Sequence, residues 1–397
     1  MTFLIYNRQI IRVLIVLAIT QLIGWGTASL PAVIGRQLAA DLGMDIAAVF
    51  AGTSVFYLAM GVAAPLLARS FTQYGARRVM MAGSLVAAPG FVLLAAAQGP
   101  LTYFAGWVCL GASGSATLTT AGLIVLNEVA GRNAKSAIGA LMLVTGLSNS
   151  VFWPTTAGLT DLFGWRGTCL VYAVVLPLVC LPLFAFGLPR GTAAESVALH
   201  GTGSAGAIDA PSCSTFYLLL TTLGLYVFVT FGISAALIEL FKAEGLSAAE
   251  AVSFGALLGV VQVGARAIDF LGGGRWDGIT TGLVAGLALP LAMLLLMTSG
   301  GATWTVAVFM LLYGMGSGAL AVARATIPLI FYDKAAFVQA TSRMALPLNI
   351  LSAVSSPVLV ALLTRFGSNA LLGLALLCSC TALAILMLLR GRRPRAA

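Results

Sequence analysis

Residues 13–34, VLIVLAITQLIGWGTASLPAVI, decide the fold of this chain, because this run contains no charged side chain. A helix needs about 20 mainly apolar residues to cross the hydrocarbon core of a bilayer. Eleven further runs of similar character follow, at residues 47–68, 79–97, 102–126, 137–159, 167–188, 214–238, 250–269, 280–298, 303–323, 338–362 and 370–389. The sequence therefore predicts an all-α integral membrane protein with twelve transmembrane helices.

The composition of the chain supports the same prediction. Apolar residues make up 60% of the sequence and charged residues 8%, and the mean hydropathy is +1.04. Soluble proteins carry about 25% charged residues, so this chain cannot coat a water-soluble globule with polar surface. The net charge of +9 does not indicate nucleic-acid binding, because the basic residues fall in short loops between the apolar runs. The six cysteines fall in or beside apolar runs, which favours packing roles, and no cofactor or metal is expected.

A Gly-, Ala- and Ser-rich stretch divides the chain into two halves. Residues 189–213 are predicted to form a cytoplasmic linker between an N-terminal six-helix bundle (1–188) and a C-terminal one (214–397). The halves also resemble each other. A shift of 198 residues places Gly61, Val62, Gly75 and Arg77 on Gly259, Val260, Gly273 and Arg275, and one of 203 places Pro154, Phe163 and Gly164 on Pro357, Phe366 and Gly367. These matches predict two pseudo-symmetric bundles, an arrangement found in transporters.

The basic residues predict the orientation of the chain. With the N-terminus in the cytoplasm, 17 of the 21 basic residues lie on the cytoplasmic side, and Arg36, Arg166, Lys242 and Arg365 lie outside. Loops rich in Lys and Arg stay in the cytoplasm, so both termini are predicted to be cytoplasmic. The predicted location is the cytoplasmic (inner) membrane.

The loop between the second and third helices, residues 68–78 (ARSFTQYGARR), carries a resemblance to the major facilitator superfamily. Gly75, Arg77 and Arg78 match the signature of that family, whereas Thr72 replaces its acidic residue and Ala68 its first glycine. Residues 24–27 (GWGT), 165–167 (WRG) and 264–266 (GAR) are similar to bacterial members near the monocarboxylate-porter branch. The resemblance covers essentially the whole chain. It implies a transporter rather than an enzyme.

The resemblance implies a gate at this loop. Gly75, Arg77 and Arg78 are the expected gating residues of the N-terminal half. Asp269 and Arg275, near the end of the eighth helix, are the expected counterparts in the C-terminal half, together with Arg266 and Asp277.

Arg266 is the leading candidate for solute contact. It lies about 16 residues into the eighth helix, and a charge at that depth in a membrane indicates function. Its guanidinium suits bidentate binding of a carboxylate, and the resemblance implies that an arginine of this helix is the anion partner. Two structural roles stay open: pairing with Asp269, three residues on, or extension of the side chain to the cytoplasmic edge.

Polar and aromatic side chains on other helices complete the candidate solute site. They are Gln21 and Trp25 in helix one, Asn149 and Trp153 in helix five, Tyr226 in helix seven, Tyr313 in helix ten and Asn349 in helix eleven. Packing between helices is the competing role for each aromatic residue. Together they predict an amphipathic and mostly uncharged site.

The predicted function is transport of a small organic anion, such as a monocarboxylate, by alternating access of the two halves. Transport of a neutral amphipathic metabolite or drug is the alternative. The expected partners are a small-molecule solute, the lipid bilayer and either a coupling proton or a counter-solute, with no nucleic acid. The protein is expected to be a monomer.

The predicted topology can be tested by labelling single cysteines in intact cells, in a background that lacks the six native cysteines. Lys242→Cys should react with a membrane-impermeant reagent added outside, because position 242 is predicted to be external. Ala205→Cys should react only after permeabilisation. Labelling of position 205 in intact cells would reverse the topology.

Overall fold

A computed structural model describes residues 8–190, 213–272, 277–299 and 303–392. This part of the chain forms helices and no β-strand. The helices are α1 (Arg8–Ala28), α2 (Leu30–Leu42), α3 (Ile46–Tyr74), α4 (Ala76–Ala95), α5 (Pro100–Thr117), α6 (Thr119–Ala130), α7 (Ala134–Thr145), α8 (Ser148–Gly187), α9 (Cys213–Ala243), α10 (Ala248–Leu271), α11 (Gly278–Thr298), α12 (Thr303–Thr326), α13 (Pro328–Phe331), α14 (Lys334–Phe366) and α15 (Ser368–Gly391).

Eleven helical segments of the described residues are long and apolar enough to cross a membrane. One of them, Ala134–Gly187, has 54 residues, far more than a single span needs. It covers both the fifth and the sixth predicted helices, and Gly164 interrupts it with φ 69° and ψ 171°. The eleven segments therefore contain the twelve predicted spans, and the prediction of an all-α membrane fold is confirmed.

Three predicted helices are broken where the sequence analysis expected a continuous run. Ser29 separates α1 from α2, Leu118 separates α5 from α6, and residues 146–147 separate α7 from α8. Pro31 follows the first break and has no backbone N–H to donate. Leu118 has φ −89° and ψ −147°, so its backbone cannot continue the helix.

The described residues form two compact units. Unit 1 contains residues 8–137, 144–190 and 334–350, and unit 2 contains residues 138–143, 213–272, 277–299, 303–333 and 351–392. Part of α7 thus belongs to unit 2 and the first half of α14 to unit 1. The predicted linker lies almost entirely outside the described residues, so the predicted division into 1–188 and 214–397 stays a prediction.

In unit 1, a small set of helix pairs makes the core. Helix α4 packs against α5 and α8, α3 against α5, and α1 against α8. Buried aromatic rings fill these contacts; Phe91 of α4, for example, lies 5.7 Å from Tyr172 of α8. Two of these helix contacts also contain a hydrogen bond. Tyr103 of α5 donates to the Val49 carbonyl of α3 (2.6 Å), and Ser113 of α5 donates to the Gly83 carbonyl of α4 (2.8 Å).

Unit 2 repeats this packing pattern with its own helices. Helix α11 packs against α12 and α15, α10 against α12, and α9 against α15. Each helix of unit 2 thus takes the place of one helix of unit 1: α11 corresponds to α4, α12 to α5, α15 to α8, α10 to α3 and α9 to α1. Glycines permit close approach at equivalent places: Gly111 of α5 lies against the α3 backbone at Phe56, and Gly314 of α12 lies against Val261 of α10. The two units thus share one internal topology.

Backbone conformation also repeats between the units. Gly164 and Gly367, which the 203-residue shift aligns, have φ 69° and ψ 171°, and φ 83° and ψ 176°, respectively. Each stands at the bend between two predicted spans. These values lie in a region that is almost exclusive to glycine, because any Cβ is strained there. The weak sequence match therefore corresponds to a shared backbone requirement.

A Gly→Ala comparison tests this requirement. Gly367→Ala or Gly164→Ala should destabilise the protein by about 1–2 kcal/mol and lower its melting temperature, because alanine is strained at positive φ. No heavy atom lies within 4 Å of the added Cβ at either position, so the loss would come from the backbone alone. Gly373→Ala, at an open helical position of α15, is the control and should be neutral or stabilising. Equal behaviour of all three variants would contradict the argument.

Candidate functional site

Arg266 lies on α10 in unit 2 and is partly buried. Its Nη1 donates to the Met142 carbonyl at 3.2 Å, and its Nε is buried without a hydrogen-bond partner among the described residues. Arg324 of α12 adds a second positive charge close enough to act on Arg266. A buried guanidinium with an unused donor is costly, so this place favours an anion.

Asp269 has a different partner from the one considered in the sequence analysis. Its carboxylate is 7% exposed and accepts a hydrogen bond from Thr281 of α11 at 2.6 Å. Arg266 forms no ion pair with it in the described part of the chain. The Arg266–Asp269 pair is therefore absent from this conformation, and Asp269 instead joins α10 to α11.

Three further polar contacts lie in unit 2, the first of them one helical turn from Arg266. Gln262, one turn earlier on α10, donates to Ser317 of α12 at 3.0 Å. Tyr313, one turn before Ser317, donates to the Thr230 carbonyl at 2.7 Å and lies 3.0 Å from the Ser234 hydroxyl. Sequence reasoning missed Gln262, although its four-residue spacing from Arg266 places both on one helix face.

Tyr313 and Tyr226 are both buried in unit 2. Tyr313 has no exposed surface, and its ring stacks on Phe309 at 5.6 Å. Tyr226 is 3% exposed, and its hydroxyl has no hydrogen-bond partner among the described residues. Gly286 of α11 makes room for that hydroxyl, because a Cβ there would overlap it. In this conformation both tyrosines join helices of unit 2.

Gln21 of α1 lies at the break between α5 and α6 in unit 1. It is fully buried, and its Nε2 donates to the Leu118 carbonyl at 3.3 Å. Its Oε1 has no partner among the described residues. A small cavity of about 30 Å³ borders the same break and is lined in part by Gly24, Thr27 and Leu118. The Leu118 carbonyl also accepts from the Gly122 amide at 2.9 Å, because Leu118 is the N-cap of α6. Gln21 therefore adds a second hydrogen bond, which joins α1 to the break.

Trp25 and Trp153 also belong to unit 1. The Trp25 ring lies 6.4 Å from Phe56 and 6.3 Å from Tyr57, so it joins an aromatic cluster. Trp153 is 46% exposed and donates to the Ser29 hydroxyl at 3.2 Å. The structure thus brings two of the predicted aromatic residues to this unit.

The two asparagines that were predicted to contact the solute have different positions in the structure. Asn149 is part of α8, but its side chain lies outside what the structure describes. Asn349, on the part of α14 that belongs to unit 1, donates to the Ala345 carbonyl of its own helix at 2.8 Å and packs near Gly61. Its carboxamide donor is therefore used locally in this conformation.

The predicted gating residues have mixed outcomes. Gly75 ends α3 with φ 78° and ψ 154°, as a tight turn requires. Arg77 and Arg78 make no hydrogen bond or ion pair with any described residue. Arg275 lies outside the described residues.

Sequence reasoning missed a polar cluster at the other end of unit 1. Trp165 donates to Asp41 of α2 at 2.6 Å, and the Arg166 guanidinium lies 4.1 Å from the Trp165 ring centroid. Arg166 also donates to the carbonyls of Ala95 (3.5 Å) and Ala97 (3.3 Å), after α4. The motif at 165–167 marked these residues, but only the fold brings Asp41 and Ala97 to them.

Two units with one topology, built from membrane-spanning helices, define the class of a multi-span membrane carrier. The comparisons identify the family. The model of the Major Facilitator Superfamily matches residues 14–346. The chain therefore belongs to this superfamily, whose members are transporters and not enzymes, and the family predicted from the 68–78 loop is confirmed.

One curated relative is human monocarboxylate transporter 11, which is 32% identical over 145 residues. The match covers 35% of this chain and 31% of that protein. It supports placement near the monocarboxylate-porter branch.

Solved structures share the fold at low identity. The human organic anion transporter MFSD10 (TETRAN) has a TM-score of 0.72 at 16% identity, covering 96% of this chain and 99% of that chain. The proton:xylose symporter XylE has a TM-score of 0.75 at 12% identity, covering 98% and 97%.

A Tyr→Phe substitution tests the structural role of Tyr313. Tyr313→Phe should destabilise the protein by about 1 kcal/mol and lower its melting temperature, because it removes the hydroxyl that joins α12 to α9. Tyr217→Phe is the control, since the Tyr217 side chain is 60% exposed. An unchanged melting temperature for Tyr313→Phe would show that this hydroxyl does not stabilise unit 2.

Proposed function

We propose that this protein carries a small organic anion, of the monocarboxylate type, across the membrane by alternating access. The observation that carries the proposal is the guanidinium of Arg266. Its Nη1 donates to the Met142 carbonyl, and its buried Nε has no hydrogen-bond partner among the described residues. A carboxylate would supply the missing acceptor and the counter-charge together.

The electrostatics of unit 2 support an anion at Arg266. Arg324 adds positive charge to the same neighbourhood, and its own guanidinium lies 5.8 Å from the Phe231 ring centroid. Asp269, the acid nearest in sequence, accepts a hydrogen bond from Thr281 and does not neutralise Arg266 by direct contact. In this proposal, the positive charge at Arg266 attracts the carboxylate of the solute.

The names of similar proteins agree with this substrate class. A curated relative is a monocarboxylate transporter, and a protein of the same fold is an organic anion transporter. The matched part of the curated relative is about a third of its length, so the substrate class rests chiefly on Arg266.

A neutral amphipathic metabolite or drug is the second candidate substrate. The aromatic cluster of Trp25, Phe56 and Tyr57 in unit 1 favours it, because such rings bind apolar parts of a solute. Substitution of Arg266 distinguishes the two candidates, since only an anion needs the guanidinium.

The proposal includes the membrane context predicted from the sequence. The protein would lie in the cytoplasmic membrane with both termini in the cytoplasm and work as a monomer. Its N-terminal (1–188) and C-terminal (214–397) bundles, joined by the linker at 189–213, would provide the two halves of the alternating-access cycle. Either a proton or a counter-solute would energise transport. Gly75, Arg77, Arg78, Asp269 and Arg275 would contribute to gating.

Arg266 variants test the proposed function. A thermal-shift screen of small monocarboxylates on the purified protein first selects a ligand, because a bound ligand raises the melting temperature. Arg266→Gln should then weaken binding of that ligand by about 10- to 100-fold, the value of a charge-assisted hydrogen bond. Arg266→Lys should also weaken it, because lysine keeps the charge but loses the planar fork.

Arg365→Gln is the matched control, since Arg365 is an exposed arginine of unit 2. It should bind the ligand like wild type. If Arg266→Gln also binds it as tightly as wild type, the anion proposal fails and the neutral solute takes its place.

A further inference from the structure

Three arginines surround the turn between α3 and α4 in unit 1. Arg69 precedes the end of α3, and Arg77 and Arg78 lie in the first turn of α4. Arg69 and Arg78 are exposed and Arg77 is partly exposed. None of the three makes a hydrogen bond or ion pair with a described residue. We call these residues the arginine cluster.

The turn itself supplies no counter-charge. Thr72, where the family signature has an acidic residue, donates to carbonyls of its own helix at Arg69 (2.8 Å) and Ala68 (3.4 Å). The first turn of α4 contains no acidic residue, and Gly75 gives it no side-chain cap. The N-terminus of a helix carries a partial positive charge, so Arg77 and Arg78 add positive charge where positive charge is already present.

In unit 2, the helix that follows the corresponding turn has an acidic N-cap residue. Helix α11, which takes the place of α4 in the packing pattern of unit 2, begins after Asp277. The Asp277 carboxylate accepts a hydrogen bond from the Thr280 amide at 2.8 Å. At its N-cap, α11 therefore has an anionic oxygen, whereas the N-cap of α4 is Gly75.

The arginine cluster lies near the ends of two candidate membrane spans. These spans, Ala48–Tyr74 and Ala76–Ala95, meet at this turn. The Tyr74 side chain is 56% exposed, and exposed tyrosines at span ends belong to the headgroup level of a bilayer. In a bilayer, the phosphates of the lipid headgroups would lie at the same level as this turn.

We propose that the arginine cluster binds the headgroup of an anionic phospholipid. Arginine binds phosphate bidentately, and basic clusters at the end of a membrane helix attract anionic lipids. The lipid would provide at this turn the negative charge that Asp277 provides in unit 2. This inference is independent of the transported solute.

The test compares lipid environments rather than transport. The purified protein is placed in nanodiscs of phosphatidylcholine alone or of phosphatidylcholine mixed with phosphatidylglycerol. Melting temperature and lipid retention by native mass spectrometry are then measured. Phosphatidylglycerol should stabilise the wild type. The triple variant Arg69→Gln, Arg77→Gln, Arg78→Gln should lose this stabilisation and retain the lipid about tenfold less.

Two further variants make the comparison specific. Arg36→Gln removes one exposed arginine of α2 in unit 1, outside the cluster, and should respond to phosphatidylglycerol like wild type. Thr72→Asp keeps all three arginines but gives the turn an internal carboxylate. It should raise the melting temperature in phosphatidylcholine and reduce the gain from phosphatidylglycerol. This variant also keeps the test decisive if the triple variant does not fold.

Either of two results would overturn the proposal. One is that the triple variant or Thr72→Asp retains the full phosphatidylglycerol response. The other is that inorganic phosphate, added to protein in phosphatidylcholine, stabilises the wild type as much as the lipid does, which would identify a site for free anions. Because no measurement involves a solute, failure here leaves the anion-transport proposal untouched, and the reverse also holds.

Discussion

A bilayer interior offers no hydrogen-bond partner to a backbone N–H or C=O group, and this constraint governs the described structure. Helices satisfy it because each peptide group bonds within its own segment. At the break between α5 and α6, the Leu118 carbonyl accepts from the Gly122 amide of the next helix and from Gln21 of α1. The same constraint makes charge rare inside the spans, so each charge that occurs there needs a partner or a role.

The two units satisfy this constraint with one packing pattern but different polar contacts. In unit 2, Asp269 joins α10 to α11 through Thr281, and Asp277 caps α11. In unit 1 the turn between α3 and α4 has no acidic residue, and the polar cluster of Asp41, Trp165 and Arg166 stands at another turn. The positive charges that form no ion pair with a described residue, at Arg266 in unit 2 and at the arginine cluster in unit 1, carry the two proposals.

Several predicted site residues act within one unit in this conformation. The hydroxyl of Tyr313 and the carboxamide donor of Asn349 are already bonded, and Trp25 packs on other rings. Arg266, Gln21 and Tyr226 differ, because each has a buried polar atom with no hydrogen-bond partner among the described residues. Buried polar atoms without partners are uncommon in folded proteins, which makes these three residues the most informative of the predicted set.

The sequence by itself determined the all-α membrane fold, its twelve spans and its family, because these depend on the length of apolar runs and on local motifs. It also marked Gly164 and Gly367, whose positive φ is a local property of the chain. The tertiary structure alone decided which polar groups meet. Asp269 bonds Thr281 rather than Arg266, and Gln262 bonds Ser317, because helix packing brings together residues 12 and 55 positions apart. Sequence spacing gives neighbours on one helix, whereas contacts between helices follow from how their faces pack.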